Sequence, residues 1–449
     1  PVGSYHIELG YDRSEQSVFV KFECVSDKYL QSGVQMRAGQ TLQSEFVTYG
    51  KVKGDLNDAL RSLTLFRREI FPKCDYPIVY NDYMNALWGN PSGEALLPLI
   101  DAAAEAGAEA FCIDAGWFMP QAKNWAQSLG DWEPSADRFG ELGFRGIIGY
   151  IRQKGRLPGC WMEMECVSPG TEPFGKEESW FLCKYGKRIG GGTRYFLNYE
   201  NPAVCAYMAE KVRKLYGIGI RYIKNDYNDC MGSGADFGDG SGLGYGVGRA
   251  VRAFLQFIDA LKSEFPDLYI ENCGSGAMRS DYAVLKHFSV QSVTDQEDYI
   301  LNHSITAGTL LNILPEHMGV WAYPLPLPFD EMRDVLFLDS PDYRKRQESG
   351  EETIFNLCNG MLGRLYLSGH IDRADENNFR LISEGVRYYG ENREQMLSCI
   401  PQFLTPLPAL EGDNEFSAIL FRAQEGKSFL FLFRLGKKKE IRLDLGHDC

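Results

Sequence analysis

The chain has 449 residues, 44% apolar and 24% charged, the make-up of a soluble globular protein long enough for two or three domains. Its net charge of −14 excludes a nucleic-acid partner, because no basic stripe is present to neutralise phosphates. No apolar run reaches the length of a membrane span, so no membrane partner is expected.

Residues 1–30 are polar and mixed, unlike a signal peptide, and the start at Pro1 rather than Met leaves an upstream leader open. The twelve cysteines form no Cys-x-x-Cys pair, and several, such as Cys112 and Cys160, sit in apolar runs where cysteine acts as a small buried hydrophobe. A reducing, cytoplasmic setting is expected. Aromatic residues reach 13%, which serves either a large core or stacking platforms for sugars.

In chain order, residues 1–50 read as short antiparallel strands, for example Ser17–Phe22 and Gln43–Tyr49, by their period-two alternation. Asp55–Arg68 reads as a linking helix with Leu60, Leu63 and Leu65 on one side. From Tyr76 apolar strand-like runs alternate with helical stretches. They are Tyr76–Tyr80, the 110–117 run, 156–165, 221–228, 268–275 and 288–295, with a helix over Glu94–Glu105 that stops at Gly107. Continuous apolar strands spaced by helices predict a parallel sheet, here an eight-fold β/α (TIM) barrel flanked by N-terminal and C-terminal antiparallel β domains. The expected boundaries are 1–72, 76–395 and 400–449, with terminal strands at Phe416–Phe421, Ser428–Phe433 and Glu440–Leu445. The Gly-rich stretch Gly232–Gly248 lacks the Lys-Ser/Thr ending of a phosphate loop and reads as a mobile loop after a strand.

Asp114, Glu163, Glu165, Asp226, Cys273 and Asp295 fall at or near the C-terminal ends of predicted strands, which in a barrel converge on one pocket. Converging carboxylates suit glycosidic bond cleavage, one attacking while another donates a proton. Singly, each is equally a turn or helix cap. A carboxylate-bound metal is the other use of such a cluster, but the six histidines show no ligand spacing, so neither metal nor cofactor is expected. A Ser-His-Asp triad lacks its Gly-x-Ser-x-Gly elbow.

Three segments carry a resemblance. Lys224-Asn225-Asp226-Tyr227-Asn228 is similar to Lys-x-Asp-x-Asn of glycoside hydrolase family 36, the microbial α-galactosidases. Glu271–Asp281 resembles that family's Glu-x-Cys-Ser-x-Gly-Gly-x-Arg-x-Asp segment, and Gln291–Asp298 its Gln-x-x-Ser-Asp-x-x-Asp. Ser128–Trp132 and Trp161–Pro169 add weaker matches in the same order. The resemblance implies Asp226 as nucleophile and Asp295 as acid/base. It also implies substrate contacts from Asp114, Trp117, Trp161, Glu163, Arg194, Lys224, Asn228, Cys273, Gly276 and Arg279. Lys224, two residues before Asp226, shares its side of the strand and would favour the ionised carboxylate.

The text departs from the family at Asp114-Ala115-Gly116-Trp117, where two adjacent aspartates are usual, and at Tyr83-Met84-Asn85, where Trp-Glu-Ala is usual on the first strand. The expected function is therefore a retaining exo-α-galactosidase acting on galactose- or N-acetylgalactosamine-containing oligosaccharides. An α-N-acetylgalactosaminidase, a raffinose-synthase-type transferase and a non-catalytic sugar-binding protein stay open, as does a homo-oligomer.

Overall fold

Eight parallel strands close into a barrel in the computed structural model, which describes residues 6–23, 33–42, 48–71, 75–120, 124–232, 234–288, 290–325, 350–410 and 414–445. A hairpin of β1 (His6–Asp12) and β2 (Ser17–Glu23) precedes helix α1 (Leu56–Ile70). The barrel begins with β3 (Val79–Asn81), α2 (Gly93–Ala106), β4 (Ala110–Ile113), α3 (Gly143–Gln153) and β5 (Leu157–Met162). Five short strands then leave the wall: β6 (Cys166–Val167), β7 (Cys183–Lys184), β8 (Lys187–Arg188), β9 (Gly190–Gly191) and β10 (Arg194–Phe196). After α4 (Pro202–Ile218) the wall resumes with β11 (Tyr222–Asn225), α5 (Leu243–Glu264), β12 (Tyr269–Asn272), α6 (Tyr282–Leu285) and β13 (Val290–Ser292). It ends with α7 (Tyr299–Thr309), β14 (Met318–Ala322), α8 (Glu351–Gly360) and β15 (Arg364–Ser368), which pairs back onto β3 with Ser368 opposite Asn81. Helix α9 (Glu376–Ser398) leads to an antiparallel sheet of β16 (Ile400–Phe403), β17 (Phe416–Arg422) and β18 (Phe429–Arg434).

Local signals explain the element ends. The Ser92 hydroxyl accepts the Ala95 amide at 3.2 Å to start α2, and Gly107, at φ 97°, ends it in the left-handed region. Asn201 caps α4, with Pro202 at its first position. The barrel interior is filled by large rings, among them Tyr76, Tyr222, Trp321 and Tyr366. Space for two of them comes from neighbouring strands: a Cβ on Gly159 would lie 2.9 Å from the Tyr222 ring, and one on Gly319 would lie 2.7 Å from Tyr366. Outside, helices pack their apolar stripes on the strands in one continuous core. Helix α1 is fastened to the C-terminal side. Asn57 exchanges hydrogen bonds with the Phe403 backbone (3.0 and 2.8 Å), and Arg68 reaches Glu316 at 2.7 Å and the carbonyls of Leu397, Ser398 and Cys399.

The barrel with antiparallel sheets before and after it matches the expected fold class. Several details differ. Glu440–Leu445 forms no strand; β17 pairs instead with β16 on one side and β18 on the other. Leu63 lies on the exposed side of α1, and the inward positions are Leu60 and Thr64, four residues apart as helical periodicity requires. The Gly-rich stretch is loop only to Gly242; its later glycines begin α5. Tyr83-Met84-Asn85 lies just past β3, not on it, in an irregular turn with Asn85 at φ 56°. The expected strand over Gln43–Tyr49 lies for residues 43–47 outside the described residues. Among the described residues no helix is long and apolar enough to cross a membrane.

Candidate active site

Asp226 is the first residue after β11, and both of its oxygens are fully engaged. Oδ1 accepts the backbone amides of Tyr227 and Ser275, each at 2.8 Å. Oδ2 accepts Trp161 Nε1 at 3.0 Å and Asn228 Nδ2 at 2.8 Å. Burial works against the charge, but Lys224 and these donors outweigh it and hold the carboxyl below the usual aspartate value. Register explains the arrangement: Lys224 pairs with Trp161 and Asn225 with Met162 across β11 and β5, so the Trp161 indole is brought beside the residue that follows.

Lys224 is buried, and its ammonium lies 3.0 Å from Asp114 Oδ2 and 5.2 Å from the centre of the Trp321 ring. Burial opposes its charge, yet Asp114, with Cys273, Asp295 and Asp226, keeps it protonated well above the ordinary lysine value. Asp114 also accepts Asn81 Nδ2 at 2.6 Å, and its own amide donates to Asp82 Oδ1 at 2.6 Å. Burial pushes the Asp82 carboxyl up to about 8.

Asp295 lies past β13 in a contrasting setting: among the described residues no hydrogen bond reaches its carboxyl. Burial pushes it up to about 6, against the pull of Lys224 and with repulsion from Asp226 and Asp114. Its segment is pinned two ways. Asp298 caps α7 by accepting the amides of Ile300 and Leu301 at 2.9 Å, and Gly276 packs directly against the Asp295 backbone. Glu297, two residues on, is buried beside it and is itself pushed up to about 8 by burial, with Asp295 adding to the rise.

The other expected residues divide. Glu163 accepts Arg194 in a two-point ion pair (2.8 and 3.1 Å) and Asn228 at 3.1 Å, so Arg194, Glu163 and Asn228 form a bonded chain that ends on Asp226. Burial raises the Glu163 carboxyl, against Arg194. Cys273 continues the β12 ladder through its amide, and burial pushes its thiol well above the usual value. Arg279 and Glu165 turn to each other in a two-point pair (2.7 and 3.0 Å), with the guanidinium 3.5 Å over the Tyr227 ring. They brace the Asp226 loop instead of joining its hydrogen bonds. Trp117 is fully buried in a layer with Phe118, Trp132 and Phe144, and its indole N–H donates to the Trp161 carbonyl at 2.9 Å. It supports Trp161 from behind. Among the described residues no cluster of metal-ligating side chains occurs.

Several neighbours escaped the sequence reading. Asn81 and Asp82 end the first barrel strand as Asp114 ends the second, a signal that was present in the text. Trp321 belongs to β14 and Tyr323 follows its end, an apolar run that the sequence patterning does not mark as a strand. The Ser275 amide is a backbone donor, with no side-chain signature.

The melibiase family model matches residues 47–326, well over half of the chain. Curated relatives include an α-galactosidase of Escherichia coli, 26% identical over 289 residues, covering 63% of this chain and 40% of that enzyme. The α-galactosidase AgaA of Geobacillus stearothermophilus is 27% identical over 266 residues, covering 59% of this chain and 36% of its own. A crystal structure of AgaA, a GH36 α-galactosidase, superposes with a TM-score of 0.74 at 22% identity over 87% of this chain and 53% of that one, a likeness of fold. The chain thus spans about half or less of the length of the proteins it matches. With the family model running through the barrel from β3 to β14 and through every residue around Asp226, the chain belongs to the melibiase family.

Proposed function

We propose that this chain is the catalytic portion of a retaining α-galactosidase, with residues 76–395 as the catalytic barrel between flanking β segments 1–72 and 400–449. The observation that carries the proposal is the opposite state of two carboxyls at one barrel mouth. Asp226 is ionised and held by four donors; Asp295 is free of hydrogen bonds among the described residues and raised to about 6.

In this mechanism Asp226 attacks the anomeric carbon while Asp295 gives its proton to the leaving oxygen, so the glycosidic bond breaks as the ester to Asp226 forms. Water then attacks the same carbon, its proton passes to Asp295, and the Asp226 carboxylate leaves. The four donors aim the carboxylate, and those on the oxygen that becomes the ester carbonyl stay bonded throughout. The Lys224–Asp114–Asn81 group, buried and charged, suits sugar hydroxyls that replace water. Support for galactose comes from relatives named α-galactosidases, and from substituted variants of AgaA solved with raffinose and with stachyose.

The test is release of p-nitrophenol from the aryl α-galactoside and the aryl α-N-acetylgalactosaminide, with Asp226→Asn as control. Cleavage of the galactoside, lost in the variant, is the expected result. Cleavage of the N-acetyl sugar alone would move the substrate, and cleavage surviving Asp226→Asn would remove the nucleophile.

A further inference from the structure

We propose that Trp125 is the stacking wall of an aglycone subsite, receiving the second sugar ring of the substrate beside Asp226. The proposal rests on the galactosidase reading above.

Trp125 opens a single helical turn, Trp125–Gln127, capped by Asn124 and fastened by the Ser168 hydroxyl, which donates to the Ala126 carbonyl at 2.9 Å. Its ring stands edge-on to Trp161 at 5.2 Å, and the Trp161 indole N–H bonds Asp226 Oδ2 at 3.0 Å. Trp125 is thus one ring removed from the attacking carboxylate. Room for the indole comes from Gly89, where a Cβ would lie 2.5 Å from Trp125 Cδ1. Tyr83 closes another side at 6.4 Å, with Trp88 at 5.5 Å beyond it.

Burial sets Trp125 apart from the other tryptophans nearby. Trp117, Trp132 and Trp161 are sealed in the core, whereas Trp125, Tyr83 and Trp88 are half-buried. A half-exposed indole retains apolar surface that the apolar face of a sugar ring can cover. Arg194 supplies the polar complement. Its guanidinium lies 5.5 Å from the Trp125 ring centre, with Nε and Nη2 bonded to Glu163. Nη1 has no hydrogen bond among the described residues, which leaves a donor for a hydroxyl. The first sugar has its own partners deeper in the mouth, where Lys224 and Asp114 are 5% and 3% exposed. A wall one ring further out meets what the reaction expels.

The experiment compares two substrates sharing one glycone. α-D-Galactosyl-(1→6)-D-glucose places a sugar ring at Trp125; α-D-galactosyl fluoride places none. Trp125→Ala is expected to lower kcat/KM for the disaccharide roughly tenfold or more. Turnover of the fluoride should stay within about twofold of wild type. Trp125→Phe, which keeps a ring, should retain most of the disaccharide activity. If Trp125→Ala does not fold, Trp125→Phe against Trp125→Leu gives the same comparison. Equal losses on both substrates would make Trp125 a prop for Trp161 and overturn the subsite, and so would no loss on either. A wild-type chain that cleaves the fluoride but not the disaccharide refutes the subsite alone. One inert to both refutes the glycosidase reading and the subsite with it.

Discussion

Gly276 and Asp295 touch where the loop after β12 meets the loop after β13: a Cβ on Gly276 would lie 2.9 Å from the Asp295 amide nitrogen and 3.3 Å from Thr294 Cα. Both contacts are to backbone, which cannot swing aside as a side chain does. Gly276 also sits at φ 87°, where a side chain is strained. Gly276→Ala should therefore displace the carboxyl of Asp295, the proposed acid/base. We expect kcat to fall about tenfold or more for aryl galactosides, from a shift of an ångström or less at the reacting group. Galactosyl fluoride, which needs little acid assistance, should lose less in its first step. Equal rates for wild type and variant would separate Asp295 from the chemistry.

The pH profile follows from the two carboxyls. In the proposed mechanism Asp295 must be protonated to donate, so kcat/KM should fall as pH rises through about 6. Asp226 must be ionised to attack, and its value lies below the usual aspartate range, so the acid limb should come only at still lower pH. The expected result is a bell with an acidic optimum, its limbs reporting the pair jointly. Asp295→Ala, assayed on a substrate with an activated leaving group, should lose the alkaline limb.

Lys224 lowers both carboxyls, so removing its charge should raise both. In Lys224→Met the whole bell should move to higher pH, with a higher KM from the lost partner of Asp114. An unmoved profile would show that the ammonium does not set the protonation of this mouth.

Arg279 is a brace in this structure, paired with Glu165 and both largely buried. Breaking the pair with Arg279→Met leaves a buried carboxylate uncompensated and should cost about 3–5 kcal/mol in urea unfolding. Adding Glu165→Gln should recover part of that loss. At temperatures where Arg279→Lys stays folded, KM should match wild type; a raised KM with unchanged stability would make Arg279 a sugar contact.

Much of the barrel was legible because its signals are local. Ser92 and Gly107 bound α2 by bonds to residues within a turn, and the runs at Ala110, Tyr222 and Tyr269 are apolar enough to be read as strands. β14 and β15 were missed because a short apolar run does not distinguish strand from helix. Leu63 was misassigned because leucine content said less than helical spacing about which face is buried.

The sequence by itself determined which residues end up at the barrel mouth. A parallel strand of known polarity delivers whatever follows it to that rim, so Asp114, Asp226 and Asp295 had to meet there. The tertiary structure alone decided which partners each carboxyl meets, because those partners lie far away in the chain. Glu163 meets Arg194, Glu165 meets Arg279, and Asp226 collects donors from Trp161 and Ser275. Asp295, from the same rim, has no donor among the described residues. Carboxyls alike in sequence thus separate into paired groups, one held below the usual aspartate value and one pushed above it, through the charges and donors that folding brings within reach.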